Sequence, residues 1–376
     1  MELFEPIVPA KDLHSSFVQI MKSRTHPASR RLLQRVFEAL PKPDGNFVRD
    51  FQTTGFDARI WELFLAAFFR SVGLKIEQPY DRPDFLLSSA SGDVWVEATT
   101  ANPTQNIQFN KVGKDHWSEQ EEIAIKLGSA LYSKLKKKYW ELPHVQGKPL
   151  VIAISDFHDQ DPLRNSSNGL ERYLFAMHVQ LVSGDGQHIE DYALEKIEHH
   201  ELGTKKIPAG FFFQPDTENI SAVLFSNAGT IAKFNRMGLQ SGYHDKVKAL
   251  RLGLLYDPDP NATMPKPFAY MVGERQEEWG EEIVLLHNPN ARIPIPKGYF
   301  GDVIEVEMRD GNYSHTVPKF HPLNSITEAI TGDREQVREG EQQLRAKGAE
   351  WVNQYSANLD EMKNLVRDVH QQWPKK

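Results

Sequence analysis

Arg82-Pro83-Asp84-Phe85-Leu86-Leu87 and, after a turn at 88–92, Val94-Trp95-Val96-Glu97-Ala98-Thr99 form the stretch on which the fold turns. Both runs read as strands, and the polar residues between them read as a hairpin connection. Each apolar run carries one carboxylate, Asp84 or Glu97. A carboxylate buried among Phe, Leu, Val and Trp is costly unless something compensates it. A divalent metal held between the two would do so, because hard cations prefer carboxylate and carbonyl oxygens. The pair therefore points to metal-dependent phosphodiester chemistry. The competing reading is solvation: Asp84, after a proline, opens a strand at its wet end. Glu97 then faces water, since Val94, Val96 and Ala98 alternate with Trp95, Glu97 and Thr99.

The flanks supply the rest of a core. A capping-box-like start at 54–57 opens a helix in which Ile60, Trp61, Leu63, Phe64, Leu65, Phe68, Phe69 and Val72 leave almost no polar side, and Gly73 ends it. Such a helix belongs in a core. Its polar stripe is Arg59, Glu62 and Arg70; Arg59 and Glu62 are spaced for a surface pair worth a few tenths of a kcal/mol. A polar loop after Asn102-Pro103 leads to a second helix, opened by Ser118 and the acidic or amide residues 119–122. Its stripe is Ile123, Leu127, Ala130, Leu131 and Leu135, with Lys134 and Lys138 inside the stripe and Lys126 at its edge. Lysines so placed usually snorkel to water. The continuous apolar run 149–155 reads as a central strand covered on both faces. Past its end, Asp156, His158, Asp159 and Asp161 form either a second ligand cluster or an ordinary acidic loop.

These residues resemble the PD-(D/E)XK nuclease superfamily. Pro83-Asp84 supplies the "PD", and Glu97-Ala98-Thr99 falls where (D/E)-X-K is expected. The superfamily core is a helix, a three-stranded meander, a second helix and a fourth strand, and 56–156 reads in that order, about a quarter of the chain. The departure is Thr99 in place of the lysine. The resemblance implies an α/β fold with a restriction-endonuclease-like core plus added helical and β-rich parts. It also implies Mg²⁺ or Mn²⁺ bound by Asp84, Glu97 and the carbonyl of Ala98, with Glu62 holding a water or a second ion. The missing ammonium would come from Lys126 or Lys134 on the second helix, a relocation the superfamily shows, while Thr99 adds a hydrogen bond without charge. The implied function is endonucleolytic cleavage of DNA, with RNA left open, in prokaryotic restriction or defence. The alternative is a nuclease-like fold that has lost catalysis and serves as a binding or assembly module.

Length and composition frame this. The 376 residues suggest two or three domains, and 40% hydrophobic with 25% charged residues is ordinary for a globular protein. No apolar run reaches membrane-spanning length, the N-terminus lacks a signal-peptide pattern, and without cysteine a cytoplasmic setting is the expectation. The net charge of −7 argues against nucleic acid as partner. It is unevenly spread, however: Lys22, Arg24, Arg30, Arg31 and Arg35 make the N-terminal arm basic, and a cluster follows at 134–138.

The organisation expected is a helical arm over 1–52, a nuclease-like core with extensions over 53–240, an irregular β-rich lobe over 241–331 and a C-terminal helix over 332–376. Within it, 189–202 reads as a charged helix, and Phe211-Phe212-Phe213 and 220–225 as strands. Thr230-Ile231-Ala232-Lys233-Phe234-Asn235-Arg236 reads as a phosphate- or base-gripping turn, or else as a surface connection. His287 and His315 read as lone structural histidines. Tyr355, Leu359, Met362, Val366, Val369 and Trp373 make a narrow heptad seam. It suits a homodimer or packing on the chain's own body.

Overall fold

The computed structural model describes residues 2–101, 116–157, 166–182, 191–257, 264–309 and 312–359. In chain order, helices α1 (Ser15–Lys22), α2 (Pro27–Glu38) and α3 (Phe47–Gln52) lead into α4 (Phe56–Ser71). Strands β1 (Lys75–Glu77), β2 (Phe85–Ser89) and β3 (Gly92–Ala101) follow, then α5 (His116–Leu135) and β4 (Leu150–Asp156). Helix α6 (Ser166–Phe175) precedes two hairpins, β5 (Met177–Val182) with β6 (Asp191–Lys196) and β7 (His199–Leu202) with β8 (Lys205–Pro208). Next come β9 (Ala222–Phe225), α7 (Ile231–Gln240), β10 (Val247–Leu255) and β11 (Lys266–Met271). The chain continues through β12 (Val284–His287), β13 (Ile304–Arg309), β14 (Asn312–Thr316), β15 (Pro322–Thr331) and α8 (Arg334–Ala357). This is a mixed α/β protein.

Its centre is an eight-stranded sheet in the order β1-β2-β3-β4-β9-β12-β13-β14. The pairs β1–β2 and β2–β3 are antiparallel, whereas β3, β4 and β9 run parallel. Alternation along the strands sorts two cores. Phe85, Leu87, Val94, Val96, Val151 and Ala153 face the layer containing α4, while Leu86, Trp95, Leu150, Ile152 and Ile154 face α5 and α6. Every residue of β4 is buried, as a doubly covered central strand requires. The all-round apolar α4 buries ten of its side chains, and Trp61 Nε1 donates to the Ala153 carbonyl at 3.2 Å. Its first residue differs from expectation: Gly55 is the N-cap, without a side-chain cap.

A smaller sheet, β11-β10-β15, carries α8 on one face. The expected lobe over 241–331 is thus divided, because β12, β13 and β14 complete the large sheet. Helix α8 starts with a capping box between Asp333 and Gln336. A Cβ on Gly340 would meet Ile330 Cδ1 at 2.4 Å, and one on Gly348 would meet Leu250 at 3.1 Å. These glycines, costly in a helix by themselves, permit the helix to lie close on the sheet. Leu344, Gly348 and Tyr355 face it, so this part of α8 packs on the chain's own body. The seam beyond residue 359 lies outside the described residues.

Three further expectations are corrected. The segment expected as a helix over 189–202 forms strands β6 and β7. His200 is buried between exposed His199 and Glu201, so a charge-rich sequence alternates on a hairpin. Glu121 of α5 fixes it, accepting from the Glu201 amide at 2.9 Å with His200 Nδ1 at 3.2 Å. Phe211–Phe213 is a 3-10 turn, not a strand, with Phe211 and Phe212 buried. The 230–236 segment neither grips a ligand as a turn nor runs on the surface. Thr230 caps α7 by accepting from the Lys233 amide, and Lys233 and Arg236 are buried in ion pairs.

Candidate active site

The β2–β3 ladder ends at Phe85 opposite Val96. The Ala98 amide therefore lies past the last paired residue, and Asp84, just before β2, supplies the acceptor: Ala98 N donates to Asp84 Oδ2 at 2.7 Å. A side chain replaces the strand where the strands part. Glu97, one residue earlier, points to the face covered by α5 and is 4% exposed. Its Oε1 accepts from Lys134 Nζ at 2.5 Å and from the Tyr139 hydroxyl at 2.7 Å. Its Oε2 is buried and has no hydrogen-bond donor.

Glu62 approaches from α4. Arg59 NH1 contacts its two carboxylate oxygens at 3.2 and 3.1 Å, while Arg59 NH2 reaches Asp44 and Asp50 at 2.6 Å each. The Arg59–Glu62 pair is thus part of a four-residue knot. The three carboxylates act on one another. Burial, then the charges of Glu97 and Glu62, push Asp84 well above the ordinary carboxylate range, against the opposing Ala98 amide and Lys134. Burial also raises Glu62; Arg59 opposes the rise and Glu97 adds to it. The solvated reading of Glu97 thus gives way to a buried acid, while Asp84, half-buried at the entry to β2, and Glu62 are repelled by it.

Of the two candidate lysines, Lys134 reaches Glu97, while Lys126 is half-buried just over two turns earlier on α5. Thr99 is half-buried on β3, two residues past Glu97. Tyr139 was not among the residues singled out. It sits in a 3-10 turn after α5, entered through Lys138 in a left-handed conformation at φ 49°. An aromatic at the end of an amphipathic helix carries no sequence signal of a polar role, and this one is aimed only by that backbone reversal. Of the acidic group after β4, Asp156 is buried; 158–161 lie outside the described residues.

The donor set suits a hard cation: carboxylates in excess, one buried oxygen lacking a donor, and an ammonium alongside. Glu62, Asp84 and Glu97 do not bring three ligand atoms within 4.8 Å of one another; among the described residues His287, Glu305 and Glu307 do. That set is already satisfied. His287 Nε2 is 3.1 Å from Glu305 Oε2, Gly298 N donates to Glu305 Oε1 at 2.8 Å, and Arg309 lies 3.1 Å from Glu307. His287 is therefore not alone, and neither is His315, 3.4 Å from Glu171.

No family model, curated protein or solved structure matches the chain. Among the described residues no helix is long and apolar enough to cross a membrane.

Proposed function

We propose that this chain is a metal-dependent endonuclease acting on DNA, with α4, β1–β3, α5 and β4 as a core of the PD-(D/E)XK kind. The reading is carried by Glu97, a buried carboxylate with one oxygen held by Lys134 and Tyr139 and the other without a donor. The order of those elements supports it too. A bound Mg²⁺ or Mn²⁺ would supply Lewis-acid charge and lower the pKa of water. Asp84, Glu97 and the Ala98 carbonyl are the residues that would hold it. Asp84 is kept in place by the Ala98 amide, and Glu97 by Tyr139. Lys134 brings an ammonium from the second helix where Thr99 has none, offsetting charge on the reacting phosphate. Glu62, steadied by Arg59, orients water at the rim. The cysteine-free composition fits a cytoplasmic enzyme, and the sequence seam that continues from Tyr355, itself packed on the small sheet, to Trp373 suits a two-fold dimer, which light scattering on the full chain would detect.

The test is nicking of supercoiled plasmid with Mg²⁺ or Mn²⁺, with RNA assayed in parallel and Mn²⁺ binding followed by electron paramagnetic resonance. Glu97→Gln should lose nicking by at least about a hundredfold, the upper end for residues that only support a ligand, and should weaken Mn²⁺ binding. Lys134→Met should lose nicking yet keep the ion. A wild type that binds nucleic acid but never cuts it would favour the inactive binding module.

A further inference from the structure

Tyr80 stands in the loop between β1 and β2, four residues before Asp84, and is 51% exposed. Its ring lies parallel to that of His144, with centroids 3.8 Å apart and planes 13° apart. His144 in turn meets the buried Trp95 at 5.2 Å, edge to face. Polar contacts lock the arrangement: Trp95 Nε1 donates to the His144 carbonyl at 3.0 Å, and His144 Nε2 lies 3.0 Å from the Arg82 carbonyl oxygen. A side chain fixed in this way loses little freedom when a second ring settles on it, so its exposed surface is preorganised.

Although the chain is acidic overall, and Asp81 beside Tyr80 is an exposed acid, cations flank the stacked rings in sequence. Arg82 is exposed two residues after Tyr80 and two before Asp84, with its carbonyl held by His144. Past the end of α5, Lys136, Lys137 and Lys138 are exposed; Lys136 lies over the Tyr132 ring at 4.4 Å and Lys138 lies 3.5 and 3.6 Å from Glu141 and Asp216. A supported aromatic ring with a cation two residues along the chain is the chemistry that holds single-stranded nucleic acid, with bases stacked on the ring and phosphates met by the cation. A base inside a duplex has both faces covered by its neighbours and offers such a ring nothing.

Building on the nuclease reading, we propose that Tyr80 is a stacking platform for an unpaired nucleobase. Arg82, with Lys137 past the end of α5, meets the adjoining phosphates, and the substrate that reaches Glu97 is single-stranded or locally unpaired. Fluorescence anisotropy in EDTA, with labelled oligothymidine alone and annealed to its complement, measures this without cleavage. The wild type should bind the single strand more tightly than the duplex. Tyr80→Ala should weaken single-strand binding at least about fivefold, the lower end for loss of one base stack, and Tyr80→Phe should restore it. A 2-aminopurine in the strand should be quenched by the wild type and not by Tyr80→Ala. Equal binding by wild type and Tyr80→Ala, or a preference for the duplex, overturns the platform and leaves plasmid nicking to judge the nuclease reading. Absence of binding to either oligonucleotide, together with absence of nicking, overturns both.

Discussion

Among the described residues, the charge cluster around α7 and β10 and the one around Glu97 are built on opposite principles. Around α7 and β10, Lys233, Arg236, Arg251 and Arg275 meet Glu277, Glu281 and Glu282. Arg236 grips Glu277 through two bonds of 2.8 Å, and Arg251 reaches Glu281 at 2.8 Å and Glu282 at 2.6 Å. Burial by itself would raise Glu277, but Lys233, Arg236 and Arg251 outweigh it and hold the carboxyl well below the usual range; Glu282 is likewise lowered. At the other cluster Glu97 is buried and Asp84 and Glu62 are half-buried, and here Asp84 and Glu62 are raised, by burial first and then by the neighbouring carboxylates. The first cluster has its counter-charges built in, and it ties the small sheet to the large one. The second is short of positive charge, as a site made for a cation would be.

The largest expected effect separates the two directly. Glu277→Gln leaves buried cations without their shared partner and should cost about 3–5 kcal/mol of stability, measured by urea unfolding with EDTA present. A loss below about 1 kcal/mol would erase the distinction. The next prediction concerns pH. His321 is buried against the balanced cluster, and burial, with Arg251 and Lys233 assisting, lowers its pKa to about 4. Between about 4 and the unfolded value near 6.5, the unfolded chain binds the proton and the folded chain does not. Stability should therefore fall as pH drops from about 6.5, by up to roughly 3 kcal/mol at pH 4. His321→Gln should flatten the slope between pH 6.5 and 4.5, above the range of unperturbed carboxylates, while the raised Asp84 and Glu62 contribute equally to wild type and variant. A slope unchanged in the variant would place its origin elsewhere.

The smallest effect has the opposite sign. In Asp84→Asn the amide oxygen still accepts from Ala98, while a buried charge repelled by Glu97 and Glu62 is gone. Without metal, stability should stay level or rise by up to about 1 kcal/mol, and nicking should be lost. A clear drop in the melting temperature in EDTA would show that Asp84 serves the fold and not a cation.

Part of this was legible early. Asp84 and Glu97 stand out because a carboxylate contradicts the apolar strand around it, and that contradiction is local. The two-sided burial of β4 and the all-round burial of α4 were readable for the same reason, since periodicity reports how many faces of an element are covered. It does not report which element covers them. Lys134 inside the α5 stripe and Lys126 at its edge are both candidates by sequence, and only the packing of α5 against β3 selects Lys134 for Glu97. Tyr139 depends on a left-handed residue at 138, and Arg236, Arg251 and Glu277 meet across 15 to 41 residues of chain. Within 274–282 the acidic residues look alike in sequence, yet Glu277, Glu281 and Glu282 are buried against Arg236 and Arg251 while Glu274 and Glu278 stay exposed. The sequence alone determined which residues are at odds with their surroundings; which partner resolves each conflict was decided by the tertiary structure, because charge compensation acts through space and not along the chain.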